Sequence, residues 1–119
     1  MQRVLVVDDE RIIADTLLLI FRKHGFDTRV AYSADEALRT ARTFHPALML
    51  CDINMPGRSG LSLAADVAAE QPACHILVLT ALSNSIDRTP PAFQPNWLLL
   101  SKPIHPATLL QAAEAALAS

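Results

Sequence analysis

Ala47-Leu-Met-Leu-Cys51, running into Asp52, is the stretch whose reading decides the fold. Five apolar residues in a row carry no helical period, and they lie between Pro46 and the turn-forming stretch 54–60, which holds Pro56, Gly57 and Gly60. A strand with one wet face would alternate apolar with polar; an unbroken apolar run suits a strand covered on both faces. Such a strand needs helices on either side, so helical segments are expected in both directions along the chain.

Upstream, Arg3-Val-Leu-Val-Val7 is a second run of the same kind. Residues 11–24 follow with helical spacing that puts Ile13, Leu17, Ile20 and Phe21 on one face, and Gly25 is placed to stop the helix. Residues 28–32 read as another strand. Ser33-Ala-Asp-Glu36 is then a capping box that opens a helix to about Thr43, where His45-Pro46 ends it. Downstream, 61–70 is Ala-rich and helical, His75-Ile-Leu-Val-Leu-Thr80 is the fourth strand and Trp97-Leu-Leu-Leu-Ser101 the fifth. His105-Pro106 opens a last helix, with Pro suited to the first helical position and Leu109, Leu110, Ala113 and Leu117 as its apolar stripe. Strands alternating with helices imply an α/β fold: a five-stranded parallel sheet with helices on both faces. One segment departs from the pattern. Residues 83–96 should hold a helix but contain Pro90, Pro91 and Pro95, so this fourth helix is expected to be short or irregular, with one or two turns at most before Thr89.

The chain has 119 residues, the size of one domain spanning 1–119, and 51% of them are hydrophobic, enough for a single core. Its net charge is −2, and Lys occurs only at Lys23 and Lys102. No basic patch of the size that grips nucleic acid is present, so no direct nucleic-acid partner is expected. No apolar stretch approaches the length of a membrane span and no secretory leader precedes the first strand, so a cytoplasmic protein without a membrane partner is expected. Cys51 and Cys74 lie in apolar, strand-like runs without Cys-x-x-Cys spacing, which reads as two reduced core thiols in place of a disulfide or metal pair. His24, His45, His75 and His105 are scattered and show no ligand spacing.

In open α/β sheets, ligands bind beyond the carboxyl ends of the strands. The first strand ends in Asp8-Asp9, the third in Asp52, the fourth in Thr80 and the fifth in Lys102. Each of these residues alone is ordinary: an acid after a strand is commonly a solvated turn residue, Thr suits a strand, and Lys suits a surface. Three carboxylates at one crevice repel unless a cation offsets them. Mg²⁺ suits that task as a hard ion held by one or two carboxylates with phosphate and water, and Ca²⁺, which wants more ligands, suits it less. Lys102, between an apolar strand and Pro103, is placed to pair with a phosphoryl oxygen or an acid. The Lys102–Pro103 bond is a candidate cis peptide that would aim the ammonium back at the crevice.

Val-Leu-Val-Val-Asp8-Asp9-Glu10, Asp52-Ile-Asn-Met-Pro56-Gly-Arg-Ser-Gly60, Leu79-Thr80-Ala81 and Ser101-Lys102-Pro103 together resemble the receiver domain of two-component response regulators, in order and spacing along nearly the whole chain. The resemblance implies a flavodoxin-like, doubly wound sheet of order 2-1-3-4-5. It implies that Asp52 is the phosphoacceptor, supplied by a sensor histidine kinase or phosphotransfer protein, and that Mg²⁺ is the cofactor. Asp9, Asp8, Asp52 and the backbone carbonyl of Asn54 would hold the ion. Thr80, the Ala81 backbone amide and Lys102 would bind the phosphoryl group, with Thr80 as the switch. By the same resemblance the chain is no conventional enzyme, acts on an output domain or downstream protein, and is a monomer or weak dimer.

Two departures stand out. Leu99 occupies the place where relatives carry Tyr or Phe three residues before the Lys, the nearest aromatic being Trp97, and the prolines of 83–96 alter a helix that relatives use as a partner surface. Leu82, two residues after Thr80, reads equally as a shield against attacking water or as a packing residue.

Three other functions compete. A phosphorylation-independent interaction module is favoured by the two departures and opposed by the intact set of five site residues. An aspartyl-phosphate hydrolase needs a second acid two residues after the nucleophile, where this chain has Asn54. A flavodoxin needs a phosphate-cradling first loop, which Asp8-Asp9-Glu10 would repel.

Overall fold

The computed structural model describes residues 2–80, 97–101 and 105–118. Among them the chain runs β1 (Arg3–Val7), α1 (Arg11–Lys23), β2 (Asp27–Ala31), α2 (Ala34–Phe44), β3 (Leu48–Asp52), α3 (Gly60–Glu70), β4 (His75–Thr80), β5 (Trp97–Ser101) and α4 (Pro106–Ala118). The five strands form one sheet of order β2-β1-β3-β4-β5, and each pairing is parallel. The architecture expected from the sequence is therefore present. The expectation of an irregular helix within 83–96 falls outside the described residues.

Alternate strand residues face opposite helical layers. Leu5, Val7, Met49, Cys51, Ile76 and Val78 pack with Ala37, Ala41 and Phe44 of α2 and Leu63, Ala64 and Val67 of α3. Val4, Val6, Leu48, Leu50, Leu77 and Leu79 pack with Ala14 and Phe21 of α1 and Leu109, Leu110 and Ala113 of α4. β3 is buried at all five positions, which is why it reads as an unbroken apolar run.

Helix ends fix how the chain re-enters the sheet. After α1, Gly25 adopts φ +91°; its N–H donates to Arg22 O, and the Phe26 N–H donates to Phe21 O. This is the paired hydrogen-bond pattern of a left-handed helix stop. Phe26 meets Phe21 edge-to-face with ring centroids 5.6 Å apart, so the stop is locked by apolar contact and aims the chain into β2. α2 ends at His45, a non-glycine residue held at φ 52°.

The structure corrects some details. Ile13 is exposed, because Ala14, Leu17 and Phe21 carry the inward stripe of α1 with Ile20 at its flank. β2 begins at Asp27 and ends before Tyr32, and β3 begins at Leu48. Cys74 is buried but precedes β4 instead of lying in it. Both cysteines are free thiols.

Candidate functional site

β1 and β3 are neighbours in the centre of the sheet, with Val7 opposite Cys51. Asp8, just past β1, and Asp52, the last residue of β3, therefore lie side by side at the carboxyl edge of the sheet. One carboxylate oxygen from each of Asp8, Asp9 and Asp52 lies within 4.8 Å of the others. Asp8 and Asp52 are buried, with 2% and 6% exposure, whereas Asp9 is exposed. At such spacing two like charges repel by about 3 kcal/mol at an effective dielectric near 20. Burial on this scale is tolerated when a cation is shared among the acids. The donors are all hard oxygens and few in number, which fits Mg²⁺ better than Zn²⁺ or a larger ion. Among the described residues no histidine or cysteine joins the group.

The two acid-bearing turns share a short-range device. The Glu10 N–H donates to Asp8 Oδ1 at 3.0 Å, and the Asn54 N–H donates to Asp52 Oδ1 at 3.0 Å. In each case the aspartate carboxylate holds the amide two residues on, and this local turn fixes the side chain's direction. Asn54 is thereby tied to Asp52. The β3–α3 loop is closed by two backbone bonds: Ile53 N–H to Leu79 O and Gly60 N–H to Ile53 O, both 2.9 Å. Gly60 is there because a Cβ would stand 2.1 Å from the Asp52 carbonyl oxygen. The Arg58 guanidinium bonds Ser62 and Asp66, which pins the loop to α3.

Thr80 closes β4, one residue past Leu79, the partner of Asp52, and is fully buried. It stands at the same carboxyl edge of the sheet as Asp8 and Asp52. Ala81, Lys102 and Pro103 lie outside the described residues, as does Leu82. Leu99 sits in β5 opposite Val78 and is packed against the α2–α3 side of the core. Cys51, next to Asp52, is fully buried. Burial, helped by the neighbouring Asp52 charge, pushes its thiol up to about 12, and burial does the same to Cys74. Both stay protonated at neutral pH and are inert core residues. Of the described histidines, His75 opens β4, and His24, His45 and His105 flank helices: His24 Nδ1 lies 2.9 Å from Ile20 O, and His105 Nδ1 accepts the Ala107 N–H.

The structure also adds residues that the sequence did not single out. Tyr32, directly after β2, donates its hydroxyl to Asp15 Oδ1 at 2.5 Å, and the Arg11 guanidinium lies 4.1 Å from its ring centroid. Arg11 and Asp15 stand one helical turn apart on α1, an i, i+4 spacing that puts both within reach of Tyr32. Asp9, Glu10, Arg11, Ile12 and Ile13 line an open groove of about 630 Å³ at the start of α1.

Comparison with known proteins gives one family. The profile of the response regulator receiver domain matches residues 4–114. The DNA-binding response regulators MtrA of Mycobacterium leprae and Mycobacterium tuberculosis are each 36% identical over 86 residues, 72% of this chain. The match spans only 38% and 37% of those two relatives' lengths. Among solved structures, a CheY-like receiver domain of Methanospirillum hungatei aligns with a TM-score of 0.85 at 27% identity, covering 98% of this chain and 94% of that one. The response regulator TrrA of Thermotoga maritima, solved in complex with Mg²⁺-BeF, aligns with a TM-score of 0.84 at 29% identity, covering 98% of this chain and 99% of that one.

Proposed function

This chain belongs to the response regulator receiver domain family, and from that premise we propose that it is a Mg²⁺-dependent phosphoacceptor whose Asp52 carboxylate takes a phosphoryl group from a sensor histidine kinase or phosphotransfer protein. The observation that carries the reading is the convergence of Asp8, Asp9 and Asp52 within 4.8 Å, at the sheet edge where Thr80 also ends its strand. In this reading an Asp52 oxygen attacks phosphorus, the phosphorus–nitrogen bond to the donor histidine breaks, and the imidazole keeps the bonding pair. The product is an acyl phosphate, which water returns to Asp52 and inorganic phosphate. Bound Mg²⁺ supplies charge neutralisation for the phosphoryl oxygens. Asp8, Asp9 and Asp52, with the Asn54 carbonyl, would hold it. Thr80, the Ala81 amide and Lys102 would bind the phosphoryl oxygens.

The domain is proposed to work in the cytoplasm as a signalling switch, not as a classical enzyme, and as a monomer or weak dimer. Its output is proposed to be a separate domain or downstream protein. None of the described helices is long and apolar enough to cross a membrane.

The test is incubation with Mg²⁺ and acetyl phosphate followed by intact mass measurement, with Asp52→Asn and EDTA controls. One phosphoryl adduct, lost in both controls, is expected. A folded protein that takes no phosphoryl group from acetyl phosphate or from any histidine-phosphorylated donor would overturn the reading in favour of a phosphorylation-independent interaction module.

A further inference from the structure

α1 begins without the usual fastening. Its N-cap, Glu10, makes no side-chain cap hydrogen bond, and its first turn carries no acidic residue. A helix start leaves several backbone N–H groups without intrahelical partners, and an uncapped first turn tends to fray. Yet this turn follows directly on Asp8 and Asp9, whose carboxylates converge with Asp52. Something other than a cap must hold it.

Tyr32 meets that need from the position just after β2. Its ring lies under the Arg11 guanidinium and its hydroxyl donates to Asp15 Oδ1, so one side chain touches the first and second turns of α1 on a single face. The bond to Asp15, with burial second, raises the Tyr32 hydroxyl above its ordinary pKa of 10.0, so it remains a donor throughout the neutral range. Tyr32 is itself fixed: its N–H donates to Glu36 Oε1 at 2.8 Å, and Glu36 belongs to the capped first turn of α2. The preceding residue, Ala31, accepts the Asp8 N–H at 3.1 Å. The two-residue step 31–32 therefore holds the chain on both sides of Asp9, by backbone before it and by side chain after it.

We infer that Tyr32 is a positioning residue for the acidic site, which grips α1 through Arg11 and Asp15 and so sets the turn that presents Asp8 and Asp9 to the cation. The inference rests on the Mg²⁺ reading above. It deepens that reading by assigning the support of two ligands to a residue that does not touch the ion.

The experiment is Mg²⁺ titration of the full chain by calorimetry, with urea unfolding of the same samples in EDTA. Groups that orient metal ligands typically change affinity by tenfold or more when removed. Tyr32→Leu, which loses both ring stacking and hydroxyl, is expected to weaken Mg²⁺ binding by roughly tenfold. Tyr32→Phe keeps the ring and is expected to fall between that variant and wild type. Should Tyr32→Leu fail to fold, the double variant Arg11→Ala, Asp15→Ala serves instead. It removes both handles on α1, both of them exposed, without changing net charge, and the same weakening is expected. Wild-type affinity in whichever of these variants folds, even with a lowered urea midpoint, overturns the inference and leaves Tyr32 a plain stabilising contact. A wild-type chain that binds no Mg²⁺, like an Asp9→Asn control, removes the Mg²⁺ reading and this inference with it. The two failures are thus distinguishable.

Discussion

The β1–α1 turn and the β3–α3 loop each place an aspartate at the sheet edge with its Oδ1 holding the amide two residues on. Beyond that shared device they are secured by different means. The first turn has one backbone tie, from Asp8 N–H to Ala31 O, and is otherwise held by side chains, through Tyr32 just past β2 and Glu36 of α2. The second is tied chiefly by backbone, through Ile53, Leu79 and Gly60, with Arg58 as an outer brace. Side-chain ties have several rotatable bonds and yield gradually. A backbone contact at van der Waals limit has nowhere to go. The proposed phosphoacceptor is thus held by the less forgiving device, and the proposed metal-binding turn by the more adjustable one.

Gly60→Ala attacks the rigid device and carries the largest expected effect. The new Cβ would stand 2.1 Å from the Asp52 carbonyl oxygen and 2.8 Å from its carbon. Neither atom can swing aside, so β3 or the start of α3 must shift. A loss of about 3 kcal/mol in urea unfolding is expected, at the upper end of overpacking costs, together with loss of phosphorylation. A loss under about 1 kcal/mol would show that the loop is pliable and would erase the contrast between the two turns.

Glu36→Ala attacks the adjustable device. It removes the acceptor of the Tyr32 N–H and leaves in place the Glu36 N–H to Ser33 Oγ bond that caps α2. The expected cost is about 1 kcal/mol, and the protein should remain folded and phosphorylatable by acetyl phosphate. Equal damage from Glu36→Ala and Gly60→Ala would break the comparison from the other side. Arg58→Ala comes next. Its partners are partly exposed, with side-chain exposure of 33% for Arg58 and 46% for Asp66, so screening trims the effect to roughly 0.5 kcal/mol. It should fall further when unfolding is repeated in 1 M salt.

The strand ends were legible in the sequence because apolar runs buried on both faces stop where the chain turns polar. Asp8, Asp9, Asp52 and Thr80 therefore announced themselves by position alone. α1 was less legible. Ile13 fits the helical period as well as Ala14 does, and periodicity cannot tell a small inward residue from a large outward one; only packing against the sheet exposes Ile13 and buries Ala14. Gly60 read merely as a loop residue, since the close approach that requires it is made by a carbonyl eight residues earlier. Tyr32 was hidden for a related reason. Its contacts run from the end of β2 back to α1, 17 residues for Asp15, and no local pattern encodes a pairing at that separation.

The smallest expected effect tests whether the supports of the two turns act together. Arg42 of α2 binds Glu70 of α3 through both guanidinium donors, at 2.9 and 2.8 Å, and so links the helix that anchors Tyr32 to the helix that carries the Arg58 brace. Both side chains are well exposed, at 54% and 37%, which keeps the pair's contribution small. The Arg42 hydrogen bonds hold the Glu70 carboxyl below its ordinary value of 4.5. A carboxylate with a lowered folded-state pKa stabilises the fold above its unfolded value, and that stability is lost as pH falls through the folded one. Wild-type and Glu70→Gln stability should therefore differ between pH 6 and 7 and converge as pH falls below 4.5. If the helices transmit strain between the turns, Glu70→Gln will add to Glu36→Ala by more than the sum of the single variants. Strict additivity in that double-mutant cycle would mean that the metal-binding turn and the phosphoacceptor loop are braced independently.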